Sequence, residues 1–345
     1  MFLNRYKKMF IGLSLATLIL NGCGDLNESV STTLPSTDID AYPMVIEHAF
    51  GQTTIVEKPE RIAAISWGNQ DVPLALGVAP VGTSMANYGV TDDSGLLPWT
   101  REAYAHLGVD SPVIFDDAAG LDYEAISLSE PDVILAAYSG ITKEEYDLLS
   151  SIAPVVAYPE MPWQTYWRDQ IRLDAKGMGM TKEGNDLVKS LESLIAEKVS
   201  AYPELSGKRA AFFWFTPSDL GKFYVYLPAD PRAAYLIDLG MIFPPSVLEL
   251  SEDETSFALE LSAENADILS DVDIIVTYGS DELLLEMQND ALLGLIPAIK
   301  NGAVLIIPAG TPLAASGSPS PLSIPYTIDS YLELLSNAAI KAGNL

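Results

Sequence analysis

Asp132-Val-Ile-Leu-Ala-Ala137, Lys143-Glu-Glu-Tyr-Asp-Leu-Leu-Ser150 and Pro154-Val-Val-Ala-Tyr158 follow one another closely in the chain. After Asp132 the first stretch is apolar without alternation, the pattern of a strand buried on both faces of a parallel sheet. The second carries helical periodicity. The third is a short apolar run that predicts another strand. Strand, helix, strand is the βαβ unit, and an α/β architecture with mostly parallel sheets follows from it.

The same rhythm extends in both directions. Towards the N-terminus, Arg61–Ser66 reads as a strand, Asn69–Leu76 as a helix and Pro80–Gly82 as the start of a further strand. His48 falls in what reads as the first strand. Beyond Tyr158 the pattern changes: Thr165–Gly179 and Lys182–Ala201 form the longest helical region, with Gly177 and Gly179 marking a break between two helices. A second α/β rhythm follows. Arg209–Phe215, Asp273–Thr277 and Ala303–Ile307 predict strands, and Pro231–Leu239, Ala263–Leu269 and Asp281–Met287 predict helices. Gly310–Pro325, rich in Gly, Pro and Ser, reads as a loop, and Tyr326–Ala342 as a closing amphipathic helix. The expected organisation is an N-terminal lobe over 42–162, an interlobe helix region over 163–204 and a C-terminal lobe over 205–345, with no internal repeat and a ligand cleft between the lobes.

The N-terminal end reads as a targeting segment. Arg5, Lys7 and Lys8 precede an apolar run from Met9 to Leu20, too short to span a bilayer, and Leu20-Asn21-Gly22-Cys23 resembles a lipobox, with Asn21 where a smaller residue is usual. Residues 1–22 are expected to be a lipoprotein signal peptide, Cys23 the lipidation site, and 23–41 a flexible polar tether. Ordinary secretion is the alternative. Cys23 is the only cysteine, so the chain cannot close an intramolecular disulfide. Acyl chains on Cys23 would hold the protein to a membrane, since two anchors are stable where one is marginal.

The net charge is −28, and losing Arg5, Lys7 and Lys8 with the signal makes it −31. Nucleic acid is excluded as a partner, because phosphate binding needs clustered Lys and Arg. The acids are spread along the chain, which suits solubility outside the cell.

Catalytic signatures are absent. There is neither a Gly-rich Lys-Ser/Thr phosphate loop nor a Gly-x-Ser-x-Gly elbow. His48 and His106 are the only histidines, and neither has a recognisable catalytic setting. Two scattered imidazoles do not build a transition-metal site, and no calcium loop is present. No enzyme activity, protein-bound metal or cofactor is expected.

The aromatics carry more information. Trp67 ends the first βα strand, Trp99 and Arg101 share Leu97-Pro-Trp-Thr-Arg101, Trp163, Tyr166 and Trp167 crowd the start of the helical region, and Trp214 ends the first strand of the second lobe, with Tyr224 and Tyr226 after it. Strand C-terminal ends are where open α/β sheets place ligands. As a set these residues suggest a large, flat, partly apolar ligand with polar edges. The cations near them are Arg101, Arg168 and Arg232.

Several stretches resemble the iron-siderophore (class III, FecB/FepB-like) substrate-binding proteins of ABC importers. They are Tyr42–Gly51, Lys58-Pro-Glu-Arg-Ile62, Ala75–Gly82, Leu121–Ile126 with Glu130–Leu135, Ile152–Val156, Asp230-Pro-Arg232 with Asp238-Leu-Gly240, and Pro321–Tyr326. Their order covers the chain from about Tyr42 to its end. The resemblance implies two Rossmann-like lobes joined by a single long α-helix, here from near Trp163 to near Gly179. It implies an extracytoplasmic protein that captures a ferric siderophore, hydroxamate or mixed-carboxylate, and delivers it as a monomer to a membrane permease. It also implies one exposed docking Glu on each lobe, Glu124 and Glu264 by position. Trp67, Trp163 and Trp214 would stack on the ligand, and Tyr138, Tyr224, Arg101 and Arg232 would bond to it. Haem, cobalamin or ferric citrate on the same fold is a rival. An envelope hydrolase or an adhesive surface lipoprotein are rivals of other classes.

Overall fold

The computed structural model describes residues 40–251 and 256–343. The signal peptide, Cys23 and nearly all of the tether lie outside the described residues.

The chain opens with an antiparallel hairpin, β1 (Met44–His48) and β2 (Gly51–Ile55). The first α/β half contains β3 (Ile62–Ala64), α1 (Asp71–Ala75), β4 (Gly82–Ser84), α2 (Pro98–His106), β5 (Ile114–Phe115), α3 (Tyr123–Leu128), β6 (Val133–Ala136), α4 (Lys143–Ser150) and β7 (Val155–Ala157). Its five strands form an all-parallel sheet in the order β5-β4-β3-β6-β7. Every residue of β3, β6 and β7 is buried, as their unbroken apolar runs predict. The helix after β6 starts with a capping box: Thr142 accepts from the Glu145 amide, and the Glu145 carboxylate accepts from the Thr142 amide.

Two helices then carry the chain onward, α5 (Trp167–Gly177) and α6 (Thr181–Val199). The helix expected from near Trp163 to near Gly179 is α5, and the break expected at its glycines falls between Gly177 and Thr181. Helix α5 packs on both halves. Leu173 meets the core around β3 and β6, while Trp167, Ile171 and Ala175 join the core of the second sheet.

The second half contains β8 (Ala210–Thr216), β9 (Asp219–Tyr226), α7 (Pro231–Asp238), α8 (Pro245–Leu250), β10 (Ala258–Ser262), β11 (Ile274–Gly279), α9 (Asp281–Asn289), α10 (Pro297–Asn301), β12 (Val304–Pro308), α11 (Pro312–Ala315) and α12 (Ser323–Ala342). The sheet order is β10-β9-β8-β11-β12. The pairs β8–β11 and β11–β12 are parallel, whereas β8–β9 and β9–β10 are antiparallel. The antiparallel edge was not expected. Strand β9 alternates buried and less buried residues, unlike the fully buried strands that stood out. The expected loop at Gly310–Pro325 holds a short helix: Thr311 accepts from the Ala314 amide, and Pro312 occupies the first turn.

The two connecting helices cross tightly. A Cβ on Gly184 would lie 2.4 Å from the Ala175 Cβ. Gly184→Val is therefore expected to force α5 and α6 apart and destabilise the fold by about 2 kcal/mol. A denaturant midpoint equal to that of the unmodified protein would refute the close crossing.

Candidate functional site

Parallel strands end on the same side, so each sheet presents the C-terminal ends of its parallel strands, and the loops leaving them, as one surface. Loops from both sheets line one cavity of about 590 Å³. Ser66 and Trp67 follow β3, Ser84 to Tyr88 leave β4, Asp117 to Leu121 leave β5, and Tyr138 to Ile141 leave β6. The second half contributes Trp214 on β8, Tyr226 on β9, Tyr278 on β11, and Ala314, Ala315 and Ser318 after β12.

A buried amide fixes the first wall. Asn69 Nδ2 donates to the Ile65 carbonyl at 2.7 Å and the Tyr138 carbonyl at 3.0 Å. Asn69 Oδ1 accepts from the Tyr138 amide and from Gln170 Nε2 of α5, each at 3.0 Å. Tyr138 is thereby set at the cavity, its ring edge-on to Trp163 at 5.4 Å between centroids. Its hydroxyl bonds to Ser318, and burial pushes its pKa up to about 12. Trp163 has φ of +62°, and its amide donates to the Ser139 carbonyl at 3.0 Å.

The opposite wall is aromatic around one cation. The Arg232 guanidinium lies 4.0 Å from the centre of the Tyr226 ring. Its Nε and Nη2 donate to the two oxygens of Asp230 at 2.9 and 2.6 Å. Burial alone would lower the Arg232 pKa, but the hydrogen bonds and charge of Asp230 outweigh it and hold it well above the usual value. The cavity's cation is thus already paired with a carboxylate that is itself buried. On the first wall the Asp117 carboxylate accepts from the Ser84 hydroxyl, and burial raises its pKa.

Five of the residues expected at the ligand, Trp67, Tyr138, Trp163, Trp214 and Arg232, meet at this cavity. Arg101 and Tyr224 do not. Arg101 lies on the exposed face of α2 and pairs with Asp92, because that helix turns its neighbours Trp99 and Thr100 inward. Tyr224 shares a sheet face with Trp214 but gives its hydroxyl to Glu260 on β10. Trp99 is buried behind the wall, and its indole donates to Asp71 at 2.9 Å. Arg168 is bound to Glu192 and Asp238, away from the cavity. Tyr88 and Tyr278 were missed, although Tyr278 stands one residue past an expected strand, where the strand-end rule could have found it. Glu124 and Glu264 are exposed in the first turns of α3 and of the 3₁₀ helix Ala263–Leu269, one in each half.

The chain is similar to known proteins over most of its length. The profile of the family described as "Periplasmic binding protein" matches residues 62–311. The structure of PiaA from Streptococcus pneumoniae TIGR4 in complex with ferrichrome is 54% identical, with a TM-score of 0.83 over 86% of this chain and 99% of that one. The probable siderophore-binding lipoprotein YfiY of Bacillus subtilis is 22% identical over 289 residues, 81% of each chain. The ferric-anguibactin-binding protein FatB of Vibrio anguillarum is 25% identical over 290 residues, 82% of this chain and 85% of its own.

The Trp163 indole depends on an absent side chain. A Cβ on Gly140 would lie 2.2 Å from the indole nitrogen. Gly140→Ala is expected to displace the ring, change the near-ultraviolet circular dichroism and destabilise the protein by about 1–3 kcal/mol. An unaltered aromatic spectrum would refute the packing.

Proposed function

We propose that this chain, which belongs to the periplasmic binding protein family, captures a preformed ferric siderophore of the hydroxamate class outside the cytoplasm and delivers it to an ABC importer. The observation that carries this reading is the composition of the cavity: Trp67, Trp163, Trp214 and Tyr226 line it together with a guanidinium already paired with Asp230. A ferric trihydroxamate is neutral and wants apolar walls with a few hydrogen bonds. Multiply anionic catecholate complexes would want unpaired cations, and among the described residues Arg232 is the one Lys or Arg lining the cavity. The ferrichrome bound to PiaA is a hydroxamate complex, and the identity to PiaA supports the same class here.

In this proposal the iron keeps the siderophore's own oxygens, and the protein does no chemistry on it. Among the described residues no group of three or more His, Cys, Asp or Glu side chains is placed to hold a metal. Haem capture would need a tyrosinate or another axial ligand. Tyr138 and Tyr278 resist that role, since burial raises Tyr138 to about 12 and Tyr278 well above its ordinary value. Glu124 and Glu264 would meet cationic residues of the permease, steering and orienting the complex. Acyl chains on Cys23 would tether a monomeric binding protein to the membrane.

Titration of the soluble part with ferric hydroxamates, ferric catecholates, ferric citrate, haemin and the iron-free ligands tests the reading. Saturable quenching of tryptophan fluorescence by ferric hydroxamates at sub-micromolar concentration is expected. Trp163→Ala should weaken binding by about 2 kcal/mol, roughly thirty-fold. Quenching by haemin alone, or by nothing, would end the siderophore assignment. In cells, Cys23→Ser should move the protein from the membrane fraction to the soluble one; retention in the membrane would refute the lipid anchor.

A further inference from the structure

Asp71, on the first turn of α1, is 1% exposed and lies outside the cavity. Its carboxylate gathers donors from remote parts of the chain. Trp99 Nε1 donates to Oδ2 at 2.9 Å, Thr100 Oγ1 to Oδ1 at 2.8 Å, and Gln70 Nε2 to Oδ1 at 3.3 Å. The hydroxyl of Ser320, in the segment leading into α12, donates to Oδ2. Helix α12 belongs to the core of the second sheet, through Ile324, Ile328, Leu332 and Leu335. Asp71 is therefore a polar tie between the two halves, separate from the connecting helices.

The tie backs directly onto the cavity. Leu97, Trp99 and Ala315 form a buried cluster on which Trp67, Tyr88 and Leu322 pack. Trp67, Tyr88 and Ala315 line the cavity on their other side. Trp99 also meets Tyr326 of α12 at 5.7 Å between rings, and the Gly310 amide donates to the Tyr88 hydroxyl at 2.9 Å. Whatever moves Ser320 relative to Asp71 moves the wall of Ala315 and Ser318 relative to that of Trp67 and Tyr88.

We propose that Asp71 is a positioning residue for ligand capture: its ionised carboxylate fastens the segment before α12 to α1 and α2 and so sets the spacing of the two cavity walls. This rests on the siderophore reading above. Charge-assisted bonds to a carboxylate are the strong ones, and an ionised Asp accepts at all its lone pairs. A proton on Asp71 occupies one of those positions and leaves one converging donor without its acceptor.

Burial, the leading influence, raises Asp71 to about 6 against the opposing pull of its donors. It is thus ionised at pH 7.5 and protonated at pH 5. The ionisable group that acts on the same pocket is Tyr104 of α2, whose phenol is raised by burial and by the Asp71 charge and stays neutral throughout this range. Trp99, Thr100, Gln70 and Ser320 do not titrate. A carboxyl raised in the folded state contributes stability at acid pH and loses it as pH rises through about 6. The fold is more stable with the proton on, while the seam is tighter with it off. Stability and affinity should therefore run in opposite directions across the same titration, which a merely structural carboxyl would not produce.

The test is titration with ferrichrome, whose charge is constant over this range, at several pH values from 7.5 to 5, with melting temperatures measured alongside. The wild-type affinity should fall about ten-fold on acidification, the size of an ordinary coupling between sites. Asp71→Asn should bind weakly at pH 7.5 and show a flat profile. Ser320→Ala keeps the carboxylate and needs no change at the buried charge; it should weaken binding at pH 7.5 and shrink the pH dependence. A flat wild-type profile, or wild-type affinity in either variant at pH 7.5, overturns the role of Asp71 while the siderophore reading stands. Absence of ferrichrome binding at every pH overturns both.

Discussion

The amide of Asn69 is the fixed point around which the binding site is arranged. Two donors and one acceptor oxygen make four hydrogen bonds, to the exit of β3, the exit of β6 and the connecting helix α5. A buried amide is costly unless satisfied, and here both of its ends are used. The four bonds thus hold these three segments to one another. Gln170, which donates to Asn69, also reaches the Trp67 carbonyl at 3.3 Å. One side chain on α5 thus senses the placement of both Trp67 and Tyr138. Because the same helix carries Trp167, Ile171 and Ala175 into the core of the second sheet, the position of the first cavity wall is referred directly to the second.

Charge is treated in the same way. The chain carries a net charge of −28, yet the cavity holds a guanidinium whose charge is spent internally on Asp230 and on the face of Tyr226. Burying an unpaired Arg would be strongly destabilising, and the bidentate bonds to Asp230 offset part of that cost. The pairing also removes the feature that would attract strongly anionic complexes. In the proposed reading, a preference for a neutral ligand follows from how the cation is held. The number of cations in the sequence decides little by comparison.

Much of the architecture could be read from residue patterns. The fully buried strands β3, β6 and β7 carry unbroken apolar runs, and α4 and α12 keep clear helical periods, so their places were evident. Strand β9 was not, because it pairs antiparallel on both sides, beside the edge strand β10, and its exposed Gly221 and Lys222 dilute the pattern. Within the site, residues at strand ends were found by the rule that ligands gather there, which covers Trp67 and Trp214. Arg101 and Trp99 show where such reasoning stops. They are two residues apart, and the rotation of α2 about its axis decides which one faces inward. That rotation is marked by the bonds that Trp99 and Thr100 donate to Asp71, a residue 28 positions or more away in the chain. Tyr88 sits on an irregular loop after a three-residue strand, where periodicity has nothing to act on.

The coupling between Trp163 and Gly140 also bears on how such a cavity can diversify. Trp163 holds a left-handed backbone conformation, uncommon for a side chain of its size, and its indole occupies the space that any Cβ at position 140 would need. A lineage exploring new cargo cannot alter one of these positions freely without meeting a conflict at the other. Trp214 is different. It stands on a regular strand, 37% exposed, with neighbours that do not depend on its volume in the same way. Mutational drift towards new ligands has an open path at 214 and a double step at 163 and 140, so the two indoles of one cavity should differ in how fast they change over evolutionary time.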